Sequence, residues 1–331
     1  ASMVLKSWHS RGFDSTRSLA GTTKGHRWRG SNPMGEKQFW SKALERSEQA
    51  LNCGALIPLS TSTIELSGAS AEQFELRQLN ADLPKHHKPE GPKPNPFLPW
   101  DPQLEIERIH SHHVLILNKY PVQRGHMLLI TQGWASQIHW LQPEDWRALV
   151  QVDRDSTGLW FFNSGPKAGA SQPHRHLQLL PRHPGECICP RVHWFTERLH
   201  KPFASTGNDQ NSDPLFSSCV IADRPLSSDP EEEAILLHDL YRSLALQLGL
   251  GDQFSQQPPA NPYNLLLTQS WMALIKRSRE KVKGFSVNAL GFAGYLLATE
   301  RSDMAWLQRH GGEQLLRQVI PDFRGSTDAV S

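Results

Sequence analysis

Polar side chains alternate with outward-pointing ones in His174-Arg175-His176-Leu177-Gln178. On a β-strand, residues i, i+2 and i+4 share a face, so two imidazoles and one carboxamide form a short row while Arg175, Leu177 and Leu179 point the other way. Such a row is poor core material, because each buried imidazole or amide needs a hydrogen-bond partner. It suits a site at a sheet surface. The preceding stretch, Asn163-Ser164-Gly165-Pro166-Lys167-Ala168-Gly169-Ala170-Ser171-Gln172-Pro173, supplies what an anion needs. Gly165 and Gly169 let backbone N–H groups approach a ligand without a side chain in the way. Successive N–H groups form an anion nest, and Asn163, Ser171 and Gln172 add side-chain donors. A neutral imidazole beside such donors is equipped for attack on phosphorus: the ring nitrogen is the nucleophile, and the donors stabilise charge on the non-bridging oxygens.

Alternating histidines also occur in zinc sites. His183, Cys187, Cys189 and His193 follow downstream, but their spacing matches no standard zinc pattern, and structural cysteines near a turn are the expectation. No metal held by protein ligands is expected.

The elements that must carry this site can be read from periodicity. The spacing of Trp40, Ala43, Leu44, Ser47 and Leu51 predicts a helix over about Glu36 to Asn52, stopped by Gly54. The proline-rich stretch from Pro84 to Pro102 reads as extended. His113 to Leu117 and His126 to Ile130 read as two strands joined by a connection, followed by a helix from Pro143 to Val152 and a strand from Leu159 to Phe162. The donor loop then leads into the histidine strand, near His174 to Leu180. Phe203 to Ser218 reads as a loop. Asp229-Pro230-Glu231-Glu232-Glu233 opens a helix with a capping Asp, Pro at its first position and acids in the first turn, ending near Gly249. Strands are expected at Tyr263 to Thr268, Trp271 to Ile275 and Gly294 to Ala298, and a last helix from Asp303 to Ile320. Sheet and helix in this order indicate an α+β fold with a mainly antiparallel sheet. The chain divides into a basic segment over 1–35 expected to be disordered, a catalytic half over 36–200 and a C-terminal half over 201–331 that completes the site.

Composition narrows the class. The chain has 331 residues, 38% hydrophobic and 21% charged, with a net charge of +2. That is globular, without the basic excess that would argue for nucleic acid or an anionic membrane. No apolar run is long enough to span a bilayer. Four cysteines are too few for a disulfide scaffold, which fits a reducing, cytoplasmic location. Residues 1–33 hold six Lys and Arg against one acid. They read as a transit peptide, which would make the location organellar, as a tag, or as residues ahead of a start at Met34.

The sequence resembles the diadenosine tetraphosphate phosphorylases, or ATP adenylyltransferases, of the histidine-triad and galactose-1-phosphate uridylyltransferase superfamily. The likeness lies in Asn95-Pro96-Phe97-Leu98-Pro99, Leu117-Asn118-Lys119-Tyr120-Pro121 and Phe161 through Gln178. It continues in Pro262-Tyr263-Asn264-Leu265-Leu266, Trp271-Met272, Val287-Asn288 and Leu290-Gly291-Phe292-Ala293-Gly294, covering roughly Phe39 to Leu297. The resemblance implies a histidine-triad-like, pseudo-symmetric two-half fold with one active site. It makes His176 the nucleophile, His174 a residue that positions it, and Gln178 a phosphate contact. Asn163, Ser164, Gly165, Ser171 and Gln172 match the phosphate-binding stretch, and Lys119 matches a lysine that reaches the polyphosphate. Where the family usually has Pro-Arg, this chain has Lys276-Arg277. Arg277 is therefore either a phosphate contact from the second half or a solvated charge in the run Lys276, Arg277, Arg279, Lys281, Lys283.

The implied reaction converts diadenosine tetraphosphate and orthophosphate to ATP and ADP through a nucleotidyl-His176 intermediate. A Mg2+ ion would ride on the polyphosphate rather than on protein ligands. The partners implied are nucleotides, not nucleic acid or membrane. Within the superfamily the alternatives are another nucleotidyltransferase or a nucleotide hydrolase; Gln178 argues against the hydrolase, which carries a third histidine there. A catalytically inactive nucleotide-binding regulator is the alternative of another class.

Overall fold

The computed structural model describes residues 38–68, 71–80, 95–183, 185–200, 213–255 and 257–321. The basic segment 1–35, most of the extended stretch after Pro84 and the first part of the loop after Phe203 lie outside the described residues. Residues from Lys37 onward form one compact unit.

In chain order the elements are α1 (Gln38–Cys53), β1 (Thr61–Ile64), β2 (Glu75–Leu79), β3 (Glu105–Ile109), β4 (His113–Leu117), β5 (Met127–Thr131), α2 (Pro143–Asp155), β6 (Gly158–Asn163) and β7 (His176–Pro181). There follow α3 (Val192–Leu199), α4 (Pro214–Ser217), β8 (Cys219–Asp223), α5 (Pro230–Gln247), β9 (Tyr263–Leu267), β10 (Trp271–Lys276), β11 (Lys281–Val282), β12 (Phe285–Ser286), α6 (Ala289–Ala293), β13 (Tyr295–Ala298) and α7 (Met304–Arg317). Among the described residues no helix is long and apolar enough to cross a membrane.

One eight-stranded sheet, ordered β3-β4-β5-β7-β6-β9-β10-β8, runs through both halves of the chain. Every neighbouring pair in it is antiparallel. The two halves of the chain meet at the β6–β9 pair, with Phe162 opposite Leu265. Outward from that pair lie β7 then β5 on one side, and β10 then β8 on the other. The segment β5-α2-β6-β7 is thereby matched by β8-α5-β9-β10, an internal two-fold repeat of topology. The two copies differ at one connection. Three residues, Thr268 to Ser270, join β9 to β10, whereas Ser164 to Arg175 join β6 to β7. The repeat is in topology and leaves only one long loop.

Alternation along the strands sorts side chains into two cores. Leu177, Leu179, Trp160, Phe162, Leu265, Leu267, Met272 and Leu274 face α2 and α5. Leu159, Phe161, Leu180, Leu266, Ala273 and Ile275 face the layer made by α3, α6, β13 and α7. Gln178 and His176 alternate with Leu177 and Leu179, so they lie on the second face. A separate three-stranded sheet, β1-β2-β13, joins the two ends of the chain, with β2 and β13 parallel.

Several elements depart from the sequence expectation. Strands β1, β2, β3 and β8 carry no strong alternation and are recognisable only from their pairing. Pro214–Ser217 is helical, capped by the Asp213 side chain, rather than loop. His174 lies ahead of β7 and makes only an isolated bridge with Ser136. The last helix is broken at Gly311, whose φ of 79° and ψ of 166° interrupt it.

The α2 and α5 copies are tied by a buried ion network. Arg224 donates from Nη1 to Asp153 (2.8 Å) and from Nη2 to Glu233 (2.7 Å), and Arg154 also pairs with Glu233 (2.7 Å). Trp160 Nε1 and Gln269 Nε2 donate to the Asp153 carboxylate. Removing one member of a buried pair strands the others without water. Arg224→Ala is expected to cost about 3–5 kcal/mol of unfolding free energy, read from urea denaturation. A loss under about 1 kcal/mol, the range of exposed ion pairs, would show the network to be solvated.

Candidate active site

His176 opens β7 on a buried backbone, with its side chain 3% exposed. Its Nδ1 lies 2.8 Å from the carbonyl oxygen of His174. A carbonyl only accepts, so Nδ1 carries the proton and Nε2 keeps its lone pair. Burial lowers the pKa of the ring to about 4, so it is neutral near neutrality.

The His174 ring is held at both nitrogens. Nε2 donates to the Thr131 carbonyl at 2.8 Å, and Nδ1 accepts from Asn95 Nδ2 at 3.0 Å. Asn95 is oriented in turn by the Phe97 N–H, which donates to its Oδ1 at 3.0 Å. Phe97 packs on both imidazoles, with ring centroids 5.6 Å from His174 and 5.4 Å from His176. His174 therefore meets His176 through its backbone carbonyl, while its own ring is engaged at both nitrogens.

Arg175 points to the opposite face, as strand alternation requires. Its Nη1 pairs with Asp145 Oδ2 at 3.0 Å, and His113 Nε2 lies 2.8 Å from Asp145 Oδ1. Burial pushes the Asp145 carboxyl up, but the bonds from His113 and Arg175 outweigh it and leave the pKa lowered. The residue between the two histidines is thus pinned to the first turn of α2.

Where the β6–β7 ladder ends, a side chain takes over. Pairing stops at Phe161 opposite Gln178. Beyond it the amide of Gln137 stands in for a strand: its Oε1 accepts from His176 N at 2.8 Å, and its Nε2 donates to Asn163 O (2.8 Å) and His176 O (3.2 Å). The strands separate here without leaving buried peptide groups unpaired, and the donor loop departs through the gap. Nothing in the sequence around Gln137 signals this role.

The loop is braced from the second half of the chain. Asn163 Oδ1 accepts from Asn264 Nδ2 (2.7 Å) and Ala289 N (2.9 Å), and Asn264 Nδ2 also reaches Ala168 O at 2.8 Å. Asn163 thereby keeps only its Nδ2 for a ligand. Ser164 is bound to β9, its Oγ accepting from Tyr263 N at 2.7 Å. Gly165 has φ of 103°, and a Cβ there would meet Ile138 Cγ2 at 2.6 Å. Gly169 has φ of 89°, and its Cβ would meet Asn288 Cβ at 2.6 Å. The first glycine lets the loop pass Ile138, and the second seats it on the Val287-Asn288 segment. Within the loop the N–H groups of Ala168, Gly169 and Ala170 turn inward to Gly165 and Pro166. Lys167 and Ser171 of the loop are exposed and Gln172 is half-buried, so their donors remain accessible.

Arg277 corrects both sequence readings. Lys281 and Lys283 of its run are exposed, but Arg277 is 0% exposed. Its N–H groups are spent on Ala168 O, Asn264 Oδ1, Arg279 O, Val287 O and Val319 O, at 2.5–3.2 Å. It has no donor left for a phosphate. Its role is to hold Ala168 and Asn264, and through them the donor loop. Burial lowers its pKa to about 9, still above neutrality.

Gln178, half-buried on β7, accepts from His126 Nε2 at 3.0 Å through its Oε1. Lys119 follows β4, its Nζ 6.0 Å from the Tyr120 ring centroid, and is half-exposed. Asn118 beside it pairs with His126 across the β4–β5 connection, which places Lys119 next in the chain to a residue bonded to the Gln178 partner. His183, Cys187, Cys189 and His193 are not gathered into a site: the His183 ring stacks on Trp40, Cys187 Sγ donates to the Cys189 carbonyl, and burial pushes the Cys189 thiol up to about 12. Among the described residues no group of three or more His, Cys, Asp and Glu is arranged to hold a metal.

Gln137→Met tests the strand surrogate, since it keeps the volume while leaving His176 N–H and Asn163 C=O unpaired. It is expected to cost about 1–3 kcal/mol in thermal or urea unfolding. An unchanged midpoint would mean that water replaces the amide.

The profile of the Ap4A phosphorylase N-terminal domain matches residues 30–188, and that of the ATP adenylyltransferase C-terminal domain matches residues 213–320. Diadenosine 5',5'''-P1,P4-tetraphosphate phosphorylase 2 of Saccharomyces cerevisiae is 28% identical over 231 residues, 63% of this chain and 70% of that protein. Protein APA1 of the same yeast is 32% identical over 202 residues, 55% of this chain and 60% of that protein. The crystal structure of yeast Ap4A phosphorylase Apa2 in complex with AMP superposes with a TM-score of 0.64 at 25% identity, covering 86% of this chain and 96% of that one. On these matches the chain belongs to the Ap4A phosphorylase and ATP adenylyltransferase family.

Proposed function

We propose that the protein is a diadenosine tetraphosphate phosphorylase, an ATP adenylyltransferase, with His176 as covalent nucleophile. The observation that carries this reading is the Nε2 of a neutral, buried imidazole, without a hydrogen-bond partner among the described residues, at the end of an anion-donor loop. Nε2 attacks the α-phosphorus of the dinucleotide, the bond from that phosphorus to the bridging oxygen breaks, and ATP departs. The ring is then a nucleotidyl-imidazolium whose remaining proton, on Nδ1, stays with the His174 carbonyl. Orthophosphate attacks the same phosphorus, the P–N bond breaks with its electron pair returning to Nε2, and ADP leaves.

The donors for the α-phosphoryl oxygens are Gln178 Nε2, Asn163 Nδ2 and the Ser171–Gln172 segment. Lys119 serves the polyphosphate further along, and a Mg2+ ion, if carried in on the polyphosphate, would add to that neutralisation. A polyphosphate leaving group is stable as an anion and needs little general-acid help. Gln178 holds an oxygen but cannot move a proton. Water would need a general base to attack the intermediate, whereas orthophosphate arrives already anionic.

Incubation with diadenosine tetraphosphate is expected to yield ATP and ADP rapidly with orthophosphate, and little product without it. His176→Ala should abolish turnover, and an acid-labile adduct should map to His176 by mass spectrometry. Equal AMP release with and without phosphate would make the enzyme a hydrolase and sink the reading.

The lowered pKa sets a pH signature. An ordinary histidine titrates near 6.5, whereas His176 protonates only near 4. The rate of adduct formation should therefore show no loss from this group between pH 8 and 5, and should fall as pH drops through about 4. Stability runs the other way round the interval. Below 6.5 the unfolded chain takes up a proton that the folded chain refuses, so unfolding free energy declines from pH 6.5 toward 4. An adduct rate already halved at pH 6.5 would contradict this assignment.

A further inference from the structure

A glutamine serves a phosphate only with its NH2 toward the ligand, yet the two ends of a carboxamide are nearly isosteric and nothing intrinsic chooses between them. We propose that Asn118 and His126 are positioning residues that lock Gln178 with its amide donor toward the phosphate, through a one-way hydrogen-bond relay starting at the Tyr120 backbone. The inference rests on the reading of Gln178 as a phosphate contact.

The relay begins at a group with no choice. The Tyr120 N–H can only donate, and it donates to Asn118 Oδ1 at 3.1 Å. That commits the other end of Asn118, Nδ2, to donating, and its partner is His126 Nδ1 at 3.1 Å. A nitrogen that accepts carries no proton, so the single proton of the neutral ring sits on Nε2. Nε2 therefore donates to Gln178 Oε1 at 3.0 Å. With its oxygen engaged, Gln178 has Nε2 left, and that nitrogen donates to no described residue. A flipped Gln178 would set NH2 against N–H at His126 and a carbonyl oxygen against a phosphate oxygen, both repulsive.

The ring is kept neutral and in place. His126 is 7% exposed, and burial holds its pKa near 4 with the charge of Arg182 acting in the same direction. Its backbone is fixed because Asn118 N–H donates to the His126 carbonyl at 2.9 Å, closing the β4–β5 connection. Phe161 lies beside the ring, with centroids 5.8 Å apart. The module repeats the one at His174, where Phe97 N–H, Asn95 and the imidazole form the same sequence of bonds.

The test combines tautomer and kinetics. In 15N-histidine NMR of the full-length enzyme, His126 should be the Nε2–H tautomer, and Asn118→Asp, whose carboxylate only accepts, should move a proton onto Nδ1. A wild-type Nδ1–H tautomer overturns the proposal. His126→Phe fills the space without a donor, whereas His126→Gln is smaller but keeps an NH2 near the position of Nε2. Phosphorolysis by His126→Phe should drop in kcat by roughly tenfold or more, within the roughly hundredfold or more that loss of a transition-state donor costs, with KM changed less. His126→Gln should recover part of that loss; the reverse order would show that His126 only fills space. In a Gln178→Ala background, His126→Phe should add no further loss, and full additivity overturns the relay. If Gln178→Ala alone turns over at the unmodified rate, it is the phosphate role of Gln178 that fails, and the tautomer measurement still decides the relay by itself.

Discussion

The hydrogen bond from His176 Nδ1 to the carbonyl oxygen of His174 is the interaction on which the site depends. A backbone carbonyl cannot donate, so this one bond settles which nitrogen carries the proton, and it leaves a lone pair on the nitrogen that faces out. A side-chain acceptor would do the same with less certainty, because a carboxylate can take a proton and a hydroxyl can turn. The cost is that the carbonyl must be held still, and it lies outside β7, where no ladder holds it. Three anchors do so from three directions: the His174 ring on Thr131 and Asn95, Arg175 on Asp145, and the Gln137 amide on the backbone of His176. Much of what surrounds the nucleophile fixes that oxygen.

The two topological copies explain why there is one site and why both halves are needed for it. A sheet joined through β6 and β9 could carry a loop at either of two equivalent connections. Only the β6–β7 connection is long enough to form a cradle, and the other is a tight turn. What the second copy contributes is rigidity. Asn264 on β9 faces Asn163 on β6 where the two copies join, and Arg277, just past β10, reaches the same loop from beneath. A loop rich in glycine has much conformational freedom to lose. Bracing it from the partner copy removes that freedom before a ligand arrives, so binding energy is not spent on ordering it.

How much of this was legible in the sequence follows from the range of each interaction. Strand alternation is local, so the shared face of His176 and Gln178 and the opposite face of Arg175 could be read directly. The helix opened by Asp229-Pro230 was equally plain, since capping involves neighbours. Gln137 was not legible, because its partners lie 26 and 39 positions away and a glutamine before a helix looks like any loop residue. Arg277 was misread for the same reason. In a run of cations nothing local distinguishes the one whose five acceptors come from Ala168, Asn264, Arg279, Val287 and Val319. His174 was read into the row, but it lies ahead of β7 and its ring points to anchors that only the fold supplies. Strands β2 and β13 pair in parallel across more than two hundred residues, beyond any local pattern.

The charges of the site are distributed with a consistent logic. Around the nucleophile the buried groups are neutral: carboxamides from Asn95, Asn118, Gln137, Asn163 and Gln178, and imidazoles held unprotonated by burial. Of the buried ions, Asp145 and Arg175 lie on the far face, Arg277 lies beneath the loop, and Arg182, just past the end of β7, is tied to Gln123, the Pro181 carbonyl and the Tyr295 hydroxyl; the carboxylates Asp145, Asp153 and Glu233 are paired with arginines. Any carboxylate near His176 would repel the α-phosphate and orthophosphate alike, and would stabilise the imidazolium form that cannot attack. A bare cation in its place would bind the ground-state polyphosphate as firmly as the transition state, which lowers KM without raising kcat. Fixed dipoles avoid both faults. They cost no reorganisation when charge develops on the phosphoryl oxygens, and their directions trace back, directly or through the Asn118–His126 relay, to backbone groups that can only donate or only accept.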